Sequence, residues 1–379
     1  MIPYCHKLAE NFKKFSNKLC IKDQQGNRFT YSEMDNLTGK VNAYLSANGV
    51  KKGEFIFINL PRSAMVYAAA LGAIRAGVPF VILESGAPEA RANYIKNDCN
   101  CVLTIDANCW CKIMETEPDF SWADIPDTEA LCAIYTSGTT GTPKGALHLR
   151  GMLDRNVQAF QCNGKHLVAD GPNFAVIFPL NFVAFEISTI IPYYGGTLFI
   201  LDYATIKTPH LFYDYFEKNG IESVFMTPSF LRTYKKLNSS LYQIFVGGEV
   251  SSDIEELPIP VYNFFGMGEM GHILAIFQTD GRRGTVPVGK PTIPDSISLS
   301  EQGEICIKNP YFGGYIGLAQ LNSERIKDGI FHTGDIGELL ADGNLIHLGR
   351  LDSMIKINGN RVEPEEVLAV LKKTDNSAW

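Results

Sequence analysis

The chain has 379 residues, 45% of them hydrophobic and 20% charged, with a formal net charge of −7. That length and apolar content support two or three domains with large buried cores and exclude a disordered chain. The acidic balance, without any basic stripe, argues against nucleic acid as a main partner.

In chain order, residues 55–60 form a strand-like run, residues 64–75 carry helical spacing that Gly77 ends, and residues 80–83 resume strand character, which makes one βαβ unit. Cys99, Cys101, Cys109 and Cys111 follow as two Cys-x-Cys pairs. In an extended segment each pair would point one way without the turn geometry of zinc ligands, so they read as ordinary thiols near a surface connection. Residues 131–135 are a short apolar run that fits a buried strand emptying into a turn. The βαβ pattern recurs with strands at 173–179, 197–201 and 222–226 and helices near 184–192 and 210–218. From about Arg283 short alternating runs take over, at 304–308, 336–340 and 345–348, as expected of a small antiparallel or barrel-like unit. Near the end, Pro364, Glu365, Glu366, Lys372 and Lys373 place helix-start and helix-stop chemistry around an apolar face of Val367, Leu368, Val370 and Leu371.

No run approaches the roughly 18 apolar residues of a membrane span. The longest candidate, residues 182–201, holds Glu186 and a Pro-Tyr-Tyr-Gly-Gly break, and the N-terminus has no apolar signal core. The nine cysteines, an odd number, fit reduced thiols of a cytoplasmic protein better than a disulfide framework.

The turn after residues 131–135 reads Tyr135-Thr-Ser-Gly-Thr-Thr-Gly-Thr-Pro-Lys-Gly145. Gly138 and Gly141 let the backbone approach an anion, Thr136, Ser137, Thr139 and Thr140 offer hydroxyls, and Lys144 adds a point charge. Each part answers a polyphosphate, so the chain is expected to handle a nucleoside triphosphate. It is not a Walker motif, because Pro143 stands where that motif has glycine and Gly145 follows the lysine instead of a hydroxyl residue.

Four further motifs follow: Tyr262-Asn-Phe-Phe-Gly-Met-Gly-Glu269, Gly303-Glu-Ile-Cys-Ile307, His332-Thr-Gly-Asp335, and the run from Gly349-Arg-Leu-Asp352 to Glu363-Pro-Glu365. With the loop, in this order, they make a chain that resembles the adenylate-forming superfamily. That superfamily joins amino-acid adenylation domains of nonribosomal peptide synthetases, D-alanine:carrier ligases and acyl- or aryl-CoA synthetases. The likeness is closest to the amino-acid adenylation domains.

The resemblance implies an α/β fold of two doubly wound subdomains at about residues 1–282 and a small distorted β-barrel at about 283–350, together a core of residues 1–351. Residues 352–379 would be the hinge, at Asp352, and the first helix of a C-terminal lid that is largely missing. It further implies ATP as substrate with AMP as product, Mg²⁺, a small carboxylic or amino acid, and a phosphopantetheinyl carrier as acceptor. A carboxylate would attack the α-phosphate of ATP and expel pyrophosphate, a step catalysed mainly by positioning and charge neutralisation.

Carried over by motif, Lys144 and the loop hydroxyls steady the β- and γ-phosphates, and Glu269 holds magnesium as a hard oxygen ligand. Asp335 accepts both ribose hydroxyls, and Arg350 lies near the ribose and α-phosphate. Phe265 packs on adenine, with Asn263 and the Gly247-Gly248-Glu249 turn completing the slot. Two departures stand out. Threonine usually precedes the magnesium glutamate, whereas Gly268 does here, which removes one phosphate hydrogen bond. Amino-acid-activating members carry Phe-Asp at the start of a helix, and Phe185-Glu186 matches it here.

Glu186 is therefore expected to hold a substrate ammonium, unless it pairs with a protein cation such as His272. The matching pocket walls are Ile187, Ile190, Phe225, Phe245, Gly247, Phe264, His272 and Ile273, whose aromatic bulk favours a small side chain. An acyl- or aryl-CoA ligase, and a non-catalytic adenylate-binding module, are the competing readings.

Overall fold

The structure is a computed structural model that describes residues 2–136, 142–234 and 236–351, with the backbone of 355–357 and 360–362. Asp352 and the helix expected after Pro364 lie outside the described residues.

The first βαβ unit forms as its pattern requires. Strand Ile56–Ile58 pairs in parallel with Phe80–Ile82, and helix Ala64–Ala76 crosses between them. Gly77 ends that helix with a φ of 73°, where its N–H reaches the carbonyls of Ala73 and Ile74. Helix Tyr31–Ala47 is started by a capping box of Thr30 and Glu33 and packs on Ala64–Ala76. Their approach is set by Gly72, where a Cβ would lie 2.5 Å from Val41.

These elements belong to a six-stranded sheet, in the order Leu103–Ile105, Ile56–Ile58, Phe80–Ile82, Ala130–Thr136, Lys144–Leu149 and Phe312–Tyr315. Its first four strands are parallel and the last two antiparallel. A nine-stranded sheet runs Lys290–Pro291, Ala275–Gln278, Val261–Phe265, Gln243–Gly247, Ser223–Met226, Asn173–Val176, Thr197–Ile200, Leu19–Asp23 and Arg28–Thr30. Its six central strands, Val261–Phe265 to Leu19–Asp23, are parallel, and the outer strands pair antiparallel. The chain runs from Asn173–Val176 to Thr197–Ile200 on one side and then to Ser223–Met226 on the other, so the strand order reverses there. Open α/β sheets bind ligands outside the carboxyl ends of strands at such a reversal.

Arg62 ties the two sheets together at that place. Its guanidinium donates to the carbonyls of Leu201 (2.6 Å), Phe178 (2.7 Å) and Val176 (2.8 Å), all just past or at strand ends of the larger sheet. Glu84, past the end of Phe80–Ile82, lies 3.5 Å from Arg62 and accepts from the Leu180 N–H at 2.6 Å.

Within the expected 283–350 unit, Lys290–Pro291 and Phe312–Tyr315 join the other two sheets, and the remaining strands form an antiparallel sheet of their own. Strands Ile297–Leu299, Glu304–Lys308, Ile330–Leu339 and Ile326–Lys327 follow one another, and Leu345–Arg350 pairs with the long strand. Register shifts at Glu304/Cys306 and Ile336/Gly337 bend it.

Two local expectations need correction. The helix near 184–192 is two short ones, Val183–Ser188 and Ile190–Tyr193, because Pro192 has no N–H to continue the ladder. Cys109 and Cys111 are not in an extended segment but in helix Ala107–Glu115, where two-residue spacing sends them to different sides, one buried and one exposed.

Candidate active site

Strands Ala130–Thr136 and Lys144–Leu149 form a hairpin in which Thr136 pairs with Lys144. The turn residues Ser137, Gly138, Thr139, Thr140 and Gly141 lie outside the described residues. The hairpin still fixes where the lysine and the first hydroxyl of the turn stand. Thr136 packs against Gly268: a Cβ added there would lie 2.8 Å from the Thr136 methyl. The Thr136 hydroxyl is buried and has no hydrogen-bond partner among the described residues. Gly268 therefore does more than omit a threonine, since the neighbouring threonine occupies the space that a side chain at 268 would need.

Strand Val261–Phe265 leads into Gly268-Glu269. Glu269 is 4% exposed, and its Oε1 accepts from the Tyr315 hydroxyl at 3.0 Å. Phe265 is buried with its ring centroid 5.7 Å from that of His347. His347 Nε2 lies 3.3 Å from Asp335 Oδ1, and Arg350 donates to the same oxygen at 2.8 Å. Asp335 and Arg350 face one another because Ile330–Leu339 and Leu345–Arg350 pair with those residues in register. Two groups of contacts result, one joining Lys144, Thr136 and Gly268 beside Glu269, the other joining Phe265, His347, Asp335 and Arg350, and the chain from Phe265 to Glu269 connects them.

Asn263 occupies a different role from the one expected. Its amide donates to the Pro287 carbonyl at 2.8 Å and its oxygen accepts from Ser251 at 2.7 Å, both buried, so it braces the segment behind the slot. Gly247 ends strand Gln243–Gly247, Gly248 turns with a φ of 86°, and Glu249 accepts from the N–H and hydroxyl of Ser229.

A cavity of about 380 Å³ opens beside that turn, lined among others by Phe178, Phe182, Phe225, Thr227, Phe230 and Gly247. Of the expected acid-pocket residues, Phe225 and Gly247 line it. Ile187, Phe225, Phe245 and Phe264 surround a second cavity of only about 30 Å³. Ile190 and Ile273 are buried in the core.

Glu186 lines neither cavity. It is 3% exposed and pairs with His148 Nδ1 at 2.6 Å, with the Cys132 thiol 3.5 Å away. His148 Nε2 contacts the Gly268 carbonyl at 2.8 Å. Nε2 donates to the Gly268 carbonyl, and Nδ1 shares a proton with the Glu186 carboxyl, an arrangement that favours the protonated ring. Burial alone would lower the His148 pKa, but the charge and hydrogen bond of Glu186, with the Gly268 carbonyl, raise it above the ordinary value. The same carboxylate, after burial, pushes the Cys132 thiol well up. The cation that meets Glu186 is thus His148. His272 is not that partner: burial drives its pKa down to about 3, and its Nδ1 faces the Met270 carbonyl at 2.8 Å.

Sequence reasoning missed His148, Tyr315 and His347. Period-two alternation from Lys144 puts Ala146 and His148 on one strand face, a signal that could have found the first. Tyr315 and His347 reach the site only through strand pairing.

The comparisons with known proteins agree with this architecture. The family described as AMP-binding enzyme matches residues 8–316. Bacitracin synthase 1 of Bacillus licheniformis is 25% identical over 383 residues, which covers 90% of this chain and 7% of that protein. The chain therefore spans a small part of the curated relatives it matches. An artificially fused adenylation–PCP di-domain, NpsA-ThdA from Klebsiella oxytoca, superposes with a TM-score of 0.83 at 18% identity, covering 98% of this chain and 83% of that one. The o-succinylbenzoate CoA synthetase MenE of Bacillus subtilis gives 0.82 at 20% identity, covering 96% and 82%. These two likenesses concern the fold.

Proposed function

This chain belongs to the AMP-binding enzyme family, and on that premise we propose that it activates a carboxylic acid with ATP as an acyl-adenylate, releasing pyrophosphate. The observation that carries the reading is that the chain from Phe265 to Glu269 links two contact groups, Lys144 and Thr136 at Gly268-Glu269, and His347, Asp335 and Arg350 at Phe265. Together they offer a cation and hydroxyl for phosphates, an aromatic face for a base, and a carboxylate for a ribose, in the order a nucleotide needs them. Adenine packs against Phe265 beside the Gly247-Gly248-Glu249 turn, and Asp335 receives the ribose hydroxyls while His347 and Arg350 hold its other contacts.

Mg²⁺ fits the donor set, since Glu269 is a buried hard-oxygen group oriented by Tyr315. Bound there, the ion would neutralise phosphate charge. The chain's own residues do the rest: Lys144 attracts the phosphates, Arg350 faces the α-phosphate, and the Thr136 hydroxyl takes the place of the hydroxyl absent at Gly268. The acid's carboxylate oxygen attacks the α-phosphorus as the bond to pyrophosphate breaks, and preorganised donors stabilise the charge.

The adenylate then passes to a phosphopantetheinyl thiol in the cytoplasm, as the likeness to peptide synthetases and to an adenylation–PCP fusion supports. Coenzyme A is the second reading, favoured by the equal likeness to a CoA synthetase. The amino-acid reading rested on Glu186, and the His148 pair removes that support. AMP titrated calorimetrically against this chain and against Asp335→Asn tests the site. Loss of a charged acceptor is expected to weaken AMP about 10- to 100-fold, and equal affinity in both proteins would refute it.

A further inference from the structure

We infer that the acid activated here is apolar and aromatic, and carries no α-ammonium group. The inference rests on the acyl-adenylate reading and names its substrate class. The cavity of about 380 Å³ has the size of a small-ligand site and stands where the strand order of the large sheet reverses, outside the ends of Asn173–Val176, Ser223–Met226 and Gln243–Gly247. Among the described residues its walls carry no ionisable side chain, and Phe178, Phe182, Phe225 and Phe230 dominate them. The hydroxyls on its wall already have local duties: Thr227 caps helix Pro228–Thr233 and Ser229 donates to Glu249.

An ammonium carried into that space would lose its water and find no counter-ion. Three carboxylates come into question, of which Glu84 is matched by Arg62 and the Leu180 N–H. Glu186 is not among the cavity's lining residues and its Oε2 is already engaged by His148 Nδ1 at 2.6 Å, so an ammonium there would compete with the ring for the carboxyl. Its Oε1 is buried without a hydrogen-bond partner among the described residues, and Glu186 is not among the residues that line the cavity. Glu249 is held at the rim by both donors of Ser229.

The shape favours a ring. Phe178 and Phe225 meet edge to face with centroids 6.2 Å apart and form the wall between the large cavity and the 30 Å³ one. The smaller space holds no more than a water or two, and of these two cavities only the larger has room for an acyl group. Aromatic walls take an added ring by the same edge and offset contacts they make with each other. Rigid fixation of Phe178 supports this, because Arg62 grips its carbonyl at 2.7 Å and so holds the wall's backbone.

The experiment uses a matched pair of adenylate analogues on the full chain: 3-phenylpropanoyl- and phenylalanyl-sulfamoyl adenosine, which differ only by the ammonium. Both are titrated calorimetrically, with AMP in parallel. The desamino analogue is expected to bind about tenfold or more tightly than its amino partner, the price of an unpaired buried ammonium. Glu186→Gln, if folded, should leave that ratio unchanged. A tighter phenylalanyl analogue, with preference lost in Glu186→Gln or Glu249→Gln, would overturn the inference while AMP binding kept the nucleotide reading. If neither AMP nor either analogue binds, the nucleotide reading fails and the acid assignment falls with it.

Discussion

The two ends of the cleft are built on opposite principles. At the proposed nucleotide end, Arg350 and His347 meet Asp335 across paired strands, and the Tyr315 hydroxyl donates to Glu269. At the acid end the walls are aromatic, and the nearby charges are satisfied inside the protein by Glu186 and His148. The contrast shows that a buried charge beside a pocket is not evidence of a charged ligand until its partner is known. It also shows why the two ends are coupled, since His148 holds Glu186 with one nitrogen and the Gly268 carbonyl, next to Glu269, with the other.

The largest expected effect breaks the acid end at its support. His148→Ala leaves Glu186 buried without a cation and frees the Gly268 carbonyl, so stability should drop by about 3–5 kcal/mol. Denaturant titration reads this, and a change under 1 kcal/mol would mean that the pair is not the support described. Asp335→Asn tests the other end. It should weaken AMP about 10- to 100-fold with little change in stability, so the two substitutions separate folding from binding.

How far the sequence exposed each end follows from the same physics. The residues proposed for the nucleotide end were singled out because phosphate and ribose demand fixed residue types close together along the chain, as in residues 135–145, of which 137–141 lie outside the described residues, and His332-Thr-Gly-Asp335. The parallel strands were legible from apolar runs between turn residues, though Pro192 divided a helix that looked continuous. The acid end was not legible. Glu186, His148 and Cys132 are separated by intervals that no periodicity links, and only the pairing of Ala130–Thr136 with Lys144–Leu149 under helix Val183–Ser188 brings them together. Asn263 carried a motif's promise but its amide is used within the protein.

A smaller effect sharpens the seam between the ends. Gly268→Thr puts a Cβ against the Thr136 methyl, so it should destabilise by about 1–3 kcal/mol rather than restore a missing hydroxyl. Thr136→Ser removes that methyl and keeps the hydroxyl, so the double variant should recover most of the loss in thermal denaturation. A stable Gly268→Thr single variant would contradict the proposed exchange of hydroxyls.

The smallest effect is a pH slope with two signs. His272 is held neutral by burial with a pKa of about 3, below the ordinary 6.5, so unfolding takes up a proton as acid is added. Its contribution should fall by about 1 kcal/mol between roughly pH 6.5 and 5.5. His148 is shifted the other way, so its contribution is complete below the ordinary histidine pKa and is lost as pH rises through its higher folded value. Denaturant stability measured across neutral pH should decline on both sides for the unaltered chain, and His272→Asn should flatten the acid side alone.

The most direct measurement is a crystal structure of this chain with 3-phenylpropanoyl-sulfamoyl adenosine. The account predicts adenosine between Phe265 and Asp335, with the phenyl ring among Phe178, Phe182 and Phe225 and the Glu186–His148 pair intact. A nucleotide bound away from Asp335, or a ring lodged elsewhere with Glu186 turned toward the ligand, would contradict it.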